Sequence, residues 1–147
     1  MDLVDSRKQK LNSGQIILIA LKSGVNDVAN MPLQVVMPAI LSELSQPNVK
    51  VKQIGNTLFE VIVGNGKEAF FKAFNADTGP NFAENSKEFC VWAKHVMGLH
   101  ILVTEFSGDE ITRLFKIISM NPPMPDMGYQ VLHMQSGKTR IVLNLGA

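Results

Sequence analysis

The first thirteen residues are mostly polar, and an unbroken apolar run then covers positions 16–21. Isoleucine dominates that run, so 14–22 reads as a buried β-strand, with a short helix left open because periodicity alone does not separate the two. Ser23-Gly24 and Asn26-Asp27 follow as turn and cap residues. Over 27–45 the apolar positions Leu33, Val36, Ile40 and Leu44 recur three or four apart, which is helical. Pro38 lacks an N–H and disfavours helix at the residue before it, so the pattern predicts two short helices broken at Met37. Three strands are expected next, at 49–54, 57–63 and 68–74. Gly55-Asn56 and Gly64-Asn65-Gly66-Lys67 would be their turns. Phe59, Val61 and Val63 share one strand face. Phe70 and Phe74 share a face of the next strand, opposite Ala69, Phe71 and Ala73. A sheet apolar on both sides is covered on both sides.

Positions 75–84 read as a loop. Asn85 with Glu88 forms a capping-box pattern for a helix whose stripe is Phe89, Trp92, Ala93, Val96 and Met97, closed by Gly98. A strand at 100–106 follows. A second capping box, Ser107 with Glu110, opens a helix with the stripe Ile111, Leu114, Phe115 and Ile118. Positions 121–128 carry three prolines and form a loop, and 129–135 with 139–145 make a closing hairpin about Ser136-Gly137. The unit 68–106 is strand, helix, strand, so its two strands are expected parallel with a right-handed crossover. The remaining pairs are expected antiparallel. The fold class is therefore α+β, a mixed and mostly antiparallel sheet with helices on both faces. Residues 1–13 form a polar N-terminal arm and 14–147 a single domain.

Charge narrows the functional classes. Fourteen Lys and Arg against thirteen Asp and Glu leave a net charge of +1, and Arg7, Lys8 and Lys10 are the densest basic stretch. A nucleic-acid or anionic-membrane partner is not expected from that balance. The apolar run is also too short to span a bilayer. Cys90 is the only cysteine, which suits a reducing, cytoplasmic setting. Cys90 and His95, five apart on one helix, point about 140° apart, and His100 adds no ligand spacing, so no metal is expected. Mid-helix beside the apolar stripe, Cys90 reads as inert, and His133 reads as a sheet-face residue. Met120, Met124 and Met127 lie in or beside the loop with Pro122, Pro123 and Pro125. Flexible thioethers on a pre-ordered loop suit contact with a protein partner or a second copy, though they equally suit gap filling in a core.

The order of elements after the arm resembles the GNAT acetyltransferase fold. In that family acetyl-CoA lies between the parallel fourth and fifth strands, its pyrophosphate on amides at the start of the intervening helix. The resemblance implies cofactor contacts from Ala73, Phe74, Asn75, Thr78, Gly79, Asn85, Ser86 and Lys87. The family's phosphate loop reads Gln or Arg, two residues, Gly, one residue, then Gly or Ala. Here 77–86 has neither Arg nor Gln, Gly79 is its only glycine, Pro80 removes an amide, and Glu84 and Glu88 bring negative charge. The family's acidic Tyr falls on Phe115. Glu105 is the candidate general base and Tyr129 the candidate acid; their plainer readings are a solvated strand-end carboxylate and a half-buried aromatic. Two functions follow. One is a catalytically impaired GNAT-like protein acting through protein contacts, similar to phage-encoded GNAT-like proteins of virions. The other is an N-acetyltransferase moving an acetyl group from acetyl-CoA to an amine.

Overall fold

The computed structural model describes residues 3–22, 32–106 and 122–146. Among them the chain runs α1 (Ser13–Lys22), α2 (Leu33–Leu44), β1 (Val49–Ile54), β2 (Thr57–Val63), β3 (Glu68–Asn75), α3 (Gly79–His95), β4 (Ile101–Phe106), β5 (Gly128–His133) and β6 (Thr139–Asn144). The strands form one sheet in the order β1-β2-β3-β4-β6-β5. β3 and β4 are parallel and every other pair is antiparallel. This is the mixed sheet expected from the alternation of elements, with its strand–helix–strand unit in the expected place.

Helices cover both faces. Phe59 and Val61 of β2, Ala69 and Phe71 of β3, Leu102 and Phe106 of β4, and Ile141 and Leu143 of β6 pack with Phe89, Cys90 and Ala93 of α3. Phe59 stacks on Phe89 with ring centroids 4.2 Å apart. Leu58 and Phe74, on the opposite face, pack with Ile16, Ile17, Ala20 and Leu21 of α1 and Val36 and Ile40 of α2. Strand side chains alternate between these two cores, as the period of two requires.

Segment 14–22 is a helix and not a strand. Asn12 and Gln15 decide it: the Gln15 N–H donates to Asn12 Oδ1 at 2.9 Å, and the Asn12 N–H donates to Gln15 Oε1 at 2.9 Å. That reciprocal pair satisfies two amides that a helix start leaves free. The run behind it is buried on almost every side, so it shows no polar face by which periodicity could identify it. Helix α2 likewise runs through Pro38 without a break at Met37. Pro38 is exposed, so its ring faces outward while Val36 and Ile40 anchor the helix to the sheet. The expected helix starting at Ser107, with Phe115, lies outside the described residues, as do Ser23-Gly24 and Asn26-Asp27.

Helix α3 begins at Gly79, earlier than the Asn85–Glu88 pattern indicated. Thr78 is extended at φ −67, and Pro80 occupies the first turn, where its fixed φ is already helical. The end is as expected: Gly98, at φ +71, donates to Lys94 O, and the Leu99 N–H donates to Ala93 O. In the loop before β5, Met124 is buried and Met127 packs on the α3-side core, so both thioethers fill the protein's own interior. The polar arm is also seated, with Leu11 buried and Val4 against the α1-side core.

Candidate active site

The ladder between β3 and β4 covers only Glu68↔Ile101, Ala69↔Leu102 and Phe70↔Val103. Beyond it β3 continues to Asn75, still paired with β2, and β4 continues to Phe106, still paired with β6. The two parallel strands therefore part. Their facing edges over residues 71–75 and 104–106 carry backbone groups that no neighbouring strand among the described residues takes up. Phe71, Ala73, Thr104 and Phe106 lie along this gap on the α3 face. The chain leaves β3 at the wide end of the gap and enters α3 there, so the helix N-terminus stands beside it.

Asp77 organises that corner. Its side chain is 0% exposed. Oδ1 accepts from the N–H of Ser6 at 3.1 Å, the N–H of Thr78 at 3.0 Å and Asn81 Nδ2 at 3.0 Å. Oδ2 accepts from the N–H of Asn56 at 3.0 Å and Asn85 Nδ2 at 3.0 Å. Burial pushes the Asp77 carboxyl up, but the hydrogen bonds from Ser6, Asn56 and Asn81 outweigh it and hold the group below the usual carboxylate range. Asp5 joins from the arm, accepting from Asn81 Nδ2 at 2.7 Å. The Arg7 backbone N–H and Asn81 hold Asp5 below its ordinary value too.

Gly55 makes this corner sterically feasible. It sits at φ +56 in the two-residue turn between β1 and β2, where a Cβ would lie 2.8 Å from Asp77 Oδ2 and 2.8 Å from Asn85 Nδ2. Gly55→Ala is expected to destabilise the fold by about 2–4 kcal/mol, through the left-handed backbone and the clash together. Urea unfolding checks this, and a loss below about 0.5 kcal/mol would contradict it.

The residues expected around the cofactor are only partly brought together. Asn75, Thr78 and Gly79 stand at the wide end of the gap, and Ala73 lies along it. Asn75 is held by Thr57 Oγ1 at 2.9 Å and by the N–H of Asp77 at 3.1 Å. Phe74 points away, into the α1-side core. Asn85 and Ser86 do not start the helix: both are buried in its interior, and Asn85 Nδ2 is taken by Thr57 Oγ1 at 3.1 Å and by Asp77. Lys87 pairs with Glu84 at 3.4 Å. Because the first turn lies at Gly79, Glu84 and Glu88 fall beyond it, and the first turn carries no acidic residue of its own.

Glu105 is at the far end of β4, opposite Arg140 of β6. Arg140 Nε and Nη2 donate to Glu105 Oε1 at 2.9 and 2.7 Å. The guanidinium therefore occupies Glu105 Oε1 twice over, and that oxygen is not open to an incoming amine. Tyr129 is 38% exposed at the start of β5. It pairs with Leu143, with β6 standing between it and β4. Burial pushes the Cys90 thiol up to about 12, which suits an inert packing residue.

Sequence reasoning missed Glu60. It is the one charged residue in β2, it is 0% exposed, and neither carboxylate oxygen has a hydrogen-bond partner among the described residues. It lies opposite Lys72 of β3, whose Nζ reaches Glu43 of α2 at 3.0 Å. Burial pushes the Glu60 carboxyl up to about 7, with the Glu43 charge adding to the rise and the Lys72 charge opposing it. Lys72 itself stands beyond the last β3–β4 pair, so Glu60 is one strand from the gap. A lone acid within Leu58-Phe59-Glu60-Val61-Ile62 was the available signal.

No protein-family model matches the chain, and no curated protein matches it. Solved structures do. The N-acetyltransferase PseH of Campylobacter jejuni matches at a TM-score of 0.60 and 10% identity, over 99% of this chain and 98% of that one. The fold is that of the GNAT N-acetyltransferases. PseH in complex with acetyl coenzyme A matches at 0.56 and 12% identity, over 99% of both chains. Spermidine N-acetyltransferase from Vibrio cholerae, in complex with CoA and spermine, matches at 0.58 and 11%, over 92% of this chain and 94% of that one. Within this GNAT fold the parallel pair β3 and β4 is the pair that separates, and α3 is the helix that starts at the opening. Among the described residues, no helix is long and apolar enough to cross a membrane.

Proposed function

We propose that the protein transfers an acyl group from a thioester to an amine, with the thioester's arm lying between β3 and β4. The observation that carries this reading is the parting of two parallel strands after Phe70 and Val103. A strand edge without a partner supplies backbone donors and acceptors to an amide-bearing ligand arm, in the manner of strand addition. Donors along 73–75 would meet the thioester carbonyl and stabilise the oxyanion as it forms. The complexes of the structural neighbours PseH and spermidine N-acetyltransferase with acetyl-CoA or CoA support the donor's class.

In the reaction the amine nitrogen attacks the thioester carbonyl carbon. A C–N bond forms, the C–S bond breaks, and the sulfur leaves as thiolate. We assign the proton lost by the amine to Glu60, one strand from the gap and pushed up to about 7 by burial, because Glu105 is held by Arg140. A thiolate departs readily near neutral pH, so this chemistry does not require an acid at the Phe115 position.

Titration calorimetry tests the reading. A saturable heat with acetyl-CoA or S-acetylpantetheine, with N-acetylated product by mass spectrometry across a panel of amines, is the expected result. No heat and no thermal stabilisation with either donor at millimolar concentration would overturn it. The partner-contact reading rests on the methionine and proline loop, and Met124 and Met127 are turned into the core there.

A further inference from the structure

We infer that the donor is recognised through its pantetheine arm alone, and that the nucleotide diphosphate of coenzyme A adds nothing to its binding. The inference rests on the transfer reading above and concerns the chemistry of the same opening. A helix N-terminus offers a diphosphate about half a positive charge and a few free amides. At α3 two carboxylates already stand at that end. Asp77 places a full negative charge 3.0 Å from the Thr78 N–H. Asp5 approaches from the arm, and Asn81 Nδ2 bridges the two acids at 2.7 and 3.0 Å. Pro80 has no N–H, and that of Phe82 is bonded to Thr78 O at 2.8 Å. No Lys or Arg occurs from 73 to 86. Lys72 and Lys87, which flank that stretch, are paired with Glu43 and Glu84, and Arg7 of the arm is paired with Asp5.

A diphosphate brought to this corner would meet two fixed carboxylates. The gap itself presents a different chemistry. Phe71, Ala73, Thr104 and Phe106 line it with uncharged side chains beside unpaired backbone edges, which suits the neutral, amide-rich pantetheine arm. The residues present thus fit the arm and do not fit the diphosphate.

Calorimetry on the full chain separates the possibilities. Acetyl-CoA and S-acetylpantetheine are expected to bind within about threefold of one another, and adenosine 3′,5′-bisphosphate is expected to give no heat. Asp5→Asn removes one of the two charges, and should tighten acetyl-CoA about threefold or more while leaving S-acetylpantetheine unchanged. Acetyl-CoA binding more than about tenfold tighter than S-acetylpantetheine would overturn the inference while leaving the transfer reading intact. Unchanged acetyl-CoA affinity in Asp5→Asn would also overturn it. Silence from both thioesters would remove the transfer reading and the inference together.

Discussion

Asp77→Ala is expected to cost about 3–5 kcal/mol of folding stability, the largest loss of any single substitution at this corner. Five donors converge on its two oxygens, from the arm, the β1–β2 turn and the first two turns of α3. Without the carboxylate those donors remain in a site that is closed to water. Asp77→Asn keeps the shape and one accepting oxygen but turns an NH2 toward donors, so a loss of about half that size is expected. Urea unfolding at neutral pH measures both, and a loss below about 1 kcal/mol for Asp77→Ala would show that the convergence does not stabilise the fold. The pH dependence has a definite sign. The folded group holds its charge to lower pH than the ordinary carboxyl of 3.8, so its contribution is complete above that value and drains away as pH falls below it. The Asp77→Ala variant should show a shallower acid limb than the native chain.

Glu60→Gln is expected to raise stability at alkaline pH and to lower the rate of acyl transfer. The folded carboxyl keeps its proton up to about 7 against an ordinary value of 4.5. Between those values the folded state binds more protons than the unfolded chain, so stability is full below 4.5 and falls as pH rises through 7. At 1.36 kcal/mol per unit the loss is about 3 kcal/mol. A glutamine does not ionise and abolishes that slope, giving a gain of about 2 kcal/mol at pH 8 after allowance for its own unpartnered amide. Transfer should fall by about a hundredfold and lose the limb of its pH profile near neutrality. An unchanged stability profile would show that Glu60 does not titrate there. A flattened stability profile with an unchanged rate would show that it titrates but takes no proton from the amine.

These two residues show how unevenly the candidate site was written in the local sequence. Asp77 sits in an ordinary turn-like string, Asn75-Ala76-Asp77-Thr78-Gly79-Pro80. Four of its five donors are residues remote in sequence or on the far side of a helical turn. No spacing rule links Ser6, Asn56 and Asn85, because the contact depends on three elements arriving together. Glu60 was legible in principle, as a charge inside an apolar strand. Its significance needed the knowledge that both strand faces are covered and that Lys72 reaches across to Glu43. Glu105 is the opposite case: its place near a strand end was legible, but the guanidinium across the ladder was invisible without the β4–β6 register.

The six strands of the sheet, the turns between them and the parallel crossover from 68 to 106 can be read from the chain alone. Those features follow from local chemistry: period-two alternation, glycines where φ must be positive, and the short-range geometry of strand–helix–strand units. Tertiary structure alone decided whether a uniformly apolar run such as 16–21 coils or extends, because a segment buried on all sides carries no periodic mark of either state. It also decided where α3 begins and how far β3 and β4 stay paired. Those are set by packing and by buried hydrogen bonds between distant residues, whose energies outweigh local propensity and leave no trace in the spacing of neighbours.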